Sequence, residues 1–280
     1  MLQRRKTKNF LTLILRYLIL IFFVLIALFP IIWLIETSLK LSKQYYASPP
    51  VWIPNPLTFY HYKLLFTTFG AIPYFKNSLI IAFANMVLVL IVSIPAAYAI
   101  SRYKVGGETF SFWILTQRML PPIAAVIPLF LLYNKIGLID QHLSLILSYT
   151  IFNIPFVVWM LISFFNEFPI EIQEQAMVDG CTELQSLIMV VLPIIAPGLV
   201  VAALFCFVFS WNELMMAITF TSTNAATVTV LFASILQSPT GVWYGEASGA
   251  AVMAIIPAFV LTFFFQRYIV RGLALGGVKG

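Results

Sequence analysis

The chain has 280 residues, of which 61% are hydrophobic and only 9% charged, with a mean hydropathy of +0.99. Soluble domains typically carry about 25% charged and 45–50% apolar residues, so an ordinary water-soluble protein is excluded. The net charge of +6 is spread thinly among long apolar runs, which excludes a disordered or nucleic-acid-binding chain and leaves an integral membrane protein.

Six segments are long and apolar enough to cross a bilayer. They are Tyr17–Ile35, Ser78–Ile100, Phe110–Leu132, Leu143–Phe165, Gly198–Ala217 and Gly249–Phe265. The runs are continuously apolar, not alternating, so helices that satisfy their own backbone are expected and a β-barrel is not. The first run, behind the basic residues Arg4, Arg5, Lys6, Lys8 and Arg16, is longer than a usual signal-peptide core and lacks an A-x-A-type site, so it reads as a retained helix. Placing the N-terminus in the cytoplasm puts ten Lys and Arg on the inside and five on the outside, the sense of the positive-inside rule. Both termini are then cytoplasmic. The expected organisation is a basic N-terminus over residues 1–16, the first helix and an outer loop over 17–74, a transmembrane core over 75–267, and a cytoplasmic tail over 268–280.

The outer loop Glu36–Asn77 is rich in Pro and aromatics, which predicts an ordered cap with extended segments. Within Ile218–Ser248 the apolar stretch Val228–Leu236 predicts a short helix lying at the membrane interface. Cys181 and Cys206 fall in a polar loop and an apolar run and are not expected to pair; no spacing suggests a metal or redox site.

One inner loop, 166–196, departs from its surroundings. It holds no Lys or Arg, yet carries Glu167, Glu171, Glu174, Asp179 and Glu183, five of the ten acidic residues of the chain. Pro169 suits a helix start with acidic residues near its positive end. Asp179–Gly180 signals a turn, and Thr182 three residues before Gln185 forms a capping-box pattern that restarts a helix. Pro193 and Pro197 prevent continuous helix into the next span. Two readings stay open on these grounds: a solvated connection, or an acidic knob for a soluble partner with a basic cleft.

Glu174-Gln175-Ala176, then Gly180, then Val190-Val191-Leu192-Pro193 resembles the E-A-A–x3–G–x9–I-x-L-P loop of binding-protein-dependent ABC importer permeases. Gln175 stands for the first Ala of that pattern and Val190 for its Ile. Arg118-Met119-Leu120-Pro121-Pro122, Gly137-Leu138-Ile139-Asp140, Trp211-Asn212-Glu213 and the ending Gly276-Gly277-Val278-Lys279-Gly280 resemble the carbohydrate branch, of the maltose type with a C-terminal tail. The resemblance implies a type I ABC importer transmembrane fold in the cell membrane of a prokaryote. It implies a second, related permease, two nucleotide-binding ATPase subunits and an extracytoplasmic solute-binding protein as partners. It further implies that Glu174, Gln175, Ala176, Asp179, Gly180, Leu192 and Pro193 couple the chain to the ATPase. The tail Gly276, Gly277, Val278, Lys279 and Gly280 is implied to reach toward the ATPase, and the loop around Thr229–Tyr244 toward the binding protein. The chain itself has no phosphate-cradling G-x-x-x-x-G-K-[ST] loop, so no catalytic residue or cofactor is expected in it; ATP and Mg belong to the partners.

Arg118 and Glu213 are the ionisable residues within or at the margin of a span, and such residues are functional candidates. Helix-rise arithmetic places them about 12 Å and 22 Å from the inner surface, an offset that strains a direct pair. Glu213 reads equally as a residue of the outer interface beside Trp211. Asn85, Asn153 and Asn212 serve helix packing or line a substrate path, with packing the expected role. Pro121, Pro122, Pro128, Pro155 and Pro257 are expected to kink or break their spans. The competing reading is a secondary transporter or channel that works without ATP; it predicts an internal repeat, which the sequence lacks, and interrupted helices at matching positions in the two halves, and it has no use for the 174–193 loop.

Overall fold

The computed structural model describes residues 2–107, 109–237 and 243–277, with side chains from residue 13 to 268 within those limits. Every regular element among the described residues is helical. Helix α1 (Leu2–Ser38) is a single 37-residue element whose apolar side chains point outward. A single 3-10 turn at Ser42–Gln44 and an irregular stretch holding Pro49, Pro50, Pro54 and Pro56 lead to α2 (Tyr60–Thr67). Helix α3 (Ala71–Tyr103) ends where Lys104, Gly106 and Gly107 take positive φ.

The third predicted span is not one helix. It comprises α4 (Phe110–Thr116), a 3-10 turn at Gln117–Met119, and α5 (Pro122–Lys135), with a 79° bend. Pro121 and Pro122 lack backbone N–H groups and force Leu120 into an extended conformation, which ends the first piece. Pro128, Pro155 and Pro257, by contrast, lie inside their helices. Helix α6 (His142–Glu167) is continuous.

The inner loop contains α7 (Ile170–Val178), α8 (Glu183–Ser186), a π-type turn at Leu187–Val191 and α9 (Leu192–Ile194). It bends by 79° into α10 (Ala196–Trp211). The fifth predicted span also stops early, because α10 ends at Trp211 and the chain resumes as α11 (Met215–Phe220). Ser210 and Asn212 bond back to the carbonyls of Cys206 and Val208, a side-chain competition that weakens helix ends. Helix α12 (Val228–Leu236) has the predicted bounds, with Val228, Leu231 and Ile235 buried in protein. Helix α13 (Tyr244–Gly277) completes the chain. Among the described residues, four helices are long and apolar enough to cross a membrane, and up to six when each bent pair is one span.

The chain divides into two compact units. Residues 71–231 and 257–280 form one, in which α3 packs along α6 and α10 lies against both. Its core includes Val89, Ala97, Val157, Leu161, Phe165 and Cys206. Gly198 on α10 meets Phe164 of α6 so closely that an added Cβ would lie 2.4 Å from the ring. Residues 1–70 and 232–256 form the other unit. There the buried His61 ring links Glu246 (Nδ1 to Oε1, 2.9 Å), the Lys40 carbonyl (2.8 Å from Nε2) and the Tyr45 hydroxyl (3.0 Å).

Candidate functional site

The inner loop folds as a rigid knuckle. Helix α7 closes with a Schellman pair: Gly180 N–H donates to the Met177 carbonyl (3.1 Å) and Cys181 N–H to the Ala176 carbonyl (3.0 Å). Gly180 has φ +98°, a left-handed conformation open to glycine at little strain. The capping box is present, with Thr182 Oγ1 accepting from Gln185 N–H (3.3 Å) and Gln185 Oε1 from Thr182 N–H (2.8 Å). Glu171, Glu174, Asp179 and Glu183 are exposed. So are Val178, at 87%, and Leu184, at 64%. Acidic groups and bare apolar side chains therefore share one surface.

The knuckle is fastened to α3 through three residues, Tyr98, Ser101 and Arg102. Gln173 Nε2 donates to the buried Tyr98 hydroxyl, which itself donates to Glu183 Oε1 (3.1 Å), so one phenol ties α7 and α8 to the same helix. One turn on, Ser101 Oγ donates to Asn166 Oδ1 (2.7 Å). Arg102 donates to the Phe168 carbonyl (3.0 Å) and lies 5.3 Å from that residue's ring centre.

A second feature is a cavity of about 200 Å³ lined by Arg118, Tyr149, Asn153, Phe209, Ser210 and Glu213, among others. Arg118 Nη1 donates to the Phe152 carbonyl (2.7 Å) and to Asn153 Oδ1 (3.4 Å), and its guanidinium lies 4.2 Å from the Phe209 ring centre. The Glu213 carboxylate accepts from the Met216 and Ala217 amides at 3.0–3.2 Å, starting α11. Asn153 donates to Asn85 Oδ1 (2.9 Å) and Ser210 Oγ (3.0 Å), while Asn85 donates to Thr150 Oγ1 (2.8 Å). This buried amide network cross-links α3, α6 and α10.

A family model described as a binding-protein-dependent transport system inner membrane component matches residues 89–275, well over half of the chain. The chain belongs to that family. Among similar proteins, this permease is 35% identical over 261 residues to the trehalose transport system permease protein of Mycobacterium tuberculosis, covering 91% of this chain and 93% of the relative. It is 33% identical over 258 residues to the trehalose/maltose transport system permease protein of Thermococcus litoralis, covering 91% and 93%. It is 32% identical over 254 residues to the sulfoquinovosyl glycerol transport system permease protein of Agrobacterium fabrum, covering 90% and 89%. Among solved structures, a chain of a bacterial ABC transporter involved in import of the acidic polysaccharide alginate matches with a TM-score of 0.73 at 23% identity, covering 91% of the permease and 95% of that chain. The fold is therefore that of a type I ABC importer permease, a multi-pass membrane protein.

The permease brings Glu174, Gln175, Ala176, Asp179 and Gly180 together on α7 and its turn, with Leu192 and Pro193 on α9 at the start of the bend. Arg118, Asn153 and Glu213 line the one cavity, while Asn212 is exposed and bonds back to the Val208 carbonyl. No ion pair joins Arg118 and Glu213 among the described residues. Gly276 and Gly277 close α13, while Val278, Lys279 and Gly280 lie outside the described residues. Tyr98 and Arg102, the fasteners of the knuckle, carried no local signal that distinguished them. Asp140 carried a motif but no assigned role: its carboxylate accepts from the amides of Ser222 (2.9 Å), Asn224 (3.0 Å) and Ala225 (3.2 Å) and from Thr223 Oγ1 (3.1 Å). Burial raises the pKa of this carboxyl, but the amide bonds outweigh burial and hold it well below the usual carboxylate range.

Proposed function

We propose that the chain is a permease subunit of an ATP-driven, binding-protein-dependent importer for a carbohydrate, a sugar, oligosaccharide or polyol. It forms the translocation pathway with a second, related permease. The observation that carries this reading is the knuckle: an acidic surface with exposed Val178 and Leu184, fastened through Tyr98 to a membrane-crossing helix. Relatives whose names specify trehalose and maltose support the substrate class.

The knuckle docks from the membrane side in a cleft on one of two ATPase subunits, and ATP and Mg are bound by those subunits. Glu174, exposed on α7, makes a charge-assisted hydrogen bond to a basic residue of the ATPase cleft, while Gln175, Ala176, Asp179 and Gly180 shape the docking turn. Leu192 and Pro193 carry the push into α10. Tyr98, Ser101 and Arg102 carry it into α3, so closure of the ATPase dimer rocks the helices as rigid bodies between inward- and outward-open states. The tail, residues 268–280, reaches toward the ATPase. A solute-binding protein delivers the sugar on the opposite face.

The test is uptake of radiolabelled sugar by cells expressing the permease with its partner subunits. Glu174→Lys and Gly180→Val are expected to abolish uptake while leaving the chain inserted in the membrane fraction. Normal uptake by both variants would remove the coupling assignment.

A further inference from the structure

Two segments whose composition would carry helix straight through the bilayer are interrupted instead, and both interruptions open on one cavity. Arg118 stands in the 3-10 turn that precedes the bend at Pro121, and Glu213 in the gap between α10 and α11. Irregular backbone at membrane depth persists where it lines a cavity. Discontinuous membrane helices form the solute sites of many secondary transporters, and the same physical reasoning applies to a solute path of any membrane transporter.

The polar groups around the cavity are only partly used. Charges inside a membrane normally pair with each other, yet Arg118 and Glu213 form no ion pair among the described residues. A guanidinium has five N–H donors, and the bonds to Phe152 and Asn153 use Nη1 alone. The Glu213 oxygens retain lone pairs beyond their amide bonds. Tyr149 is 2% exposed and lines the same space, with its hydroxyl beside the Glu213 carboxylate.

We infer that this cavity is a sugar subsite belonging to this subunit itself, which holds one ring of the transported carbohydrate. The inference rests on the import reading above. Glu213 accepts from one ring hydroxyl, Tyr149 donates to the next, Arg118 donates to a third, and Phe209 offers an apolar face to the ring. One positive and one negative group line the space, so the ring is uncharged. A volume of about 200 Å³ falls below the roughly 300–1,000 Å³ of sites for larger ligands, so a longer carbohydrate passes one ring at a time.

The test uses the whole importer, purified with its co-expressed partners and reconstituted into proteoliposomes. Glucose, maltose, trehalose and diacetylchitobiose are supplied in radiolabelled form, and the sugar carried is then compared with analogues that each lack one ring hydroxyl. A site built to bond a hydroxyl rejects the analogue without it. Tyr149→Phe and Glu213→Gln are each expected to lower the preference for the intact sugar about tenfold, the equivalent of one lost hydrogen bond. The preference is a ratio within each variant, so a loss of protein or of coupling lowers both rates and leaves it unmoved. If one variant fails to assemble, the other decides. Uptake with an unaltered preference in the assembled variants would overturn the subsite and leave the import reading intact. Hydrolysis of ATP by the wild-type importer with no uptake of these sugars or of any other sugar, oligosaccharide or polyol supplied would overturn the import reading, and the subsite with it.

Discussion

Gly180 shows what one residue contributes to the docking surface. An added Cβ would meet nothing within 4 Å, yet the backbone is left-handed, so any substitution there is strained even where space is free. Gly180→Ala is expected to destabilise the α7 turn by about 1–2 kcal/mol, read as faster proteolysis between α7 and α8. Asp140 is the opposite case, a side chain whose charge organises backbone. Because its pKa is depressed in the folded chain, its contribution is present above the unfolded value of about 3.9 and is lost only as pH falls below that. Asp140→Asn is expected to lower stability by about 1.5–3 kcal/mol at neutral pH, measured by thermal unfolding in detergent, with the difference closing in strong acid. His61 has the reverse sign. Burial alone would lower its pKa, but the hydrogen bonds to Glu246 and the Lys40 carbonyl, with the Glu246 charge, raise it overall. Its contribution is therefore full below about pH 6.5 and declines as pH rises through the raised value. His61→Gln is expected to remove the part of the alkaline fall in melting temperature that depends on this imidazolium; an unchanged fall would assign it elsewhere.

At the level of elements, continuity decided what could be foreseen. The segments α1, α3, α6 and α13 are continuous apolar helices, and their existence was legible from composition because lipid leaves no other way to satisfy a backbone. The capping box and the Gly180 turn were equally legible, since both are local. The break before Pro122 was foreshadowed by two adjacent prolines. The break at Asn212–Leu214 was not, because no proline marks it; a carboxylate bound to the Met216 and Ala217 amides holds it. Depths counted along unbroken helices spoke against a direct Arg118–Glu213 pair, and none forms among the described residues, but they did not show that both residues line one cavity. Packing between elements sets a further constraint at Gly198, where the Phe164 ring occupies the position of a Cβ. Gly198→Leu is expected to destabilise the α6–α10 contact by about 1–3 kcal/mol or more, visible as a lower melting temperature in detergent, with Phe164→Ala partly restoring it.

Across the whole molecule, the proposed function makes the permease a transmission. It has helices to move and a surface to be pushed, with no phosphate-binding loop of its own. The proposed linkage runs through Tyr98, whose hydroxyl bonds both halves of the knuckle. Tyr98→Phe is expected to keep the ATPase subunits bound while lowering sugar carried per ATP hydrolysed severalfold in reconstituted importer; an unchanged ratio would put the transmission elsewhere. The amino-acid sequence by itself determined the membrane class, the acidic loop and the family, because hydrophobic runs, charge placement and short motifs are properties of neighbouring residues. Tertiary structure alone decided that Tyr98 meets Gln173 and Glu183, and that Arg118, Tyr149 and Glu213 enclose one space. Those contacts join residues tens of positions apart in the chain, and each depends on where helices bend and pack, which no local pattern encodes.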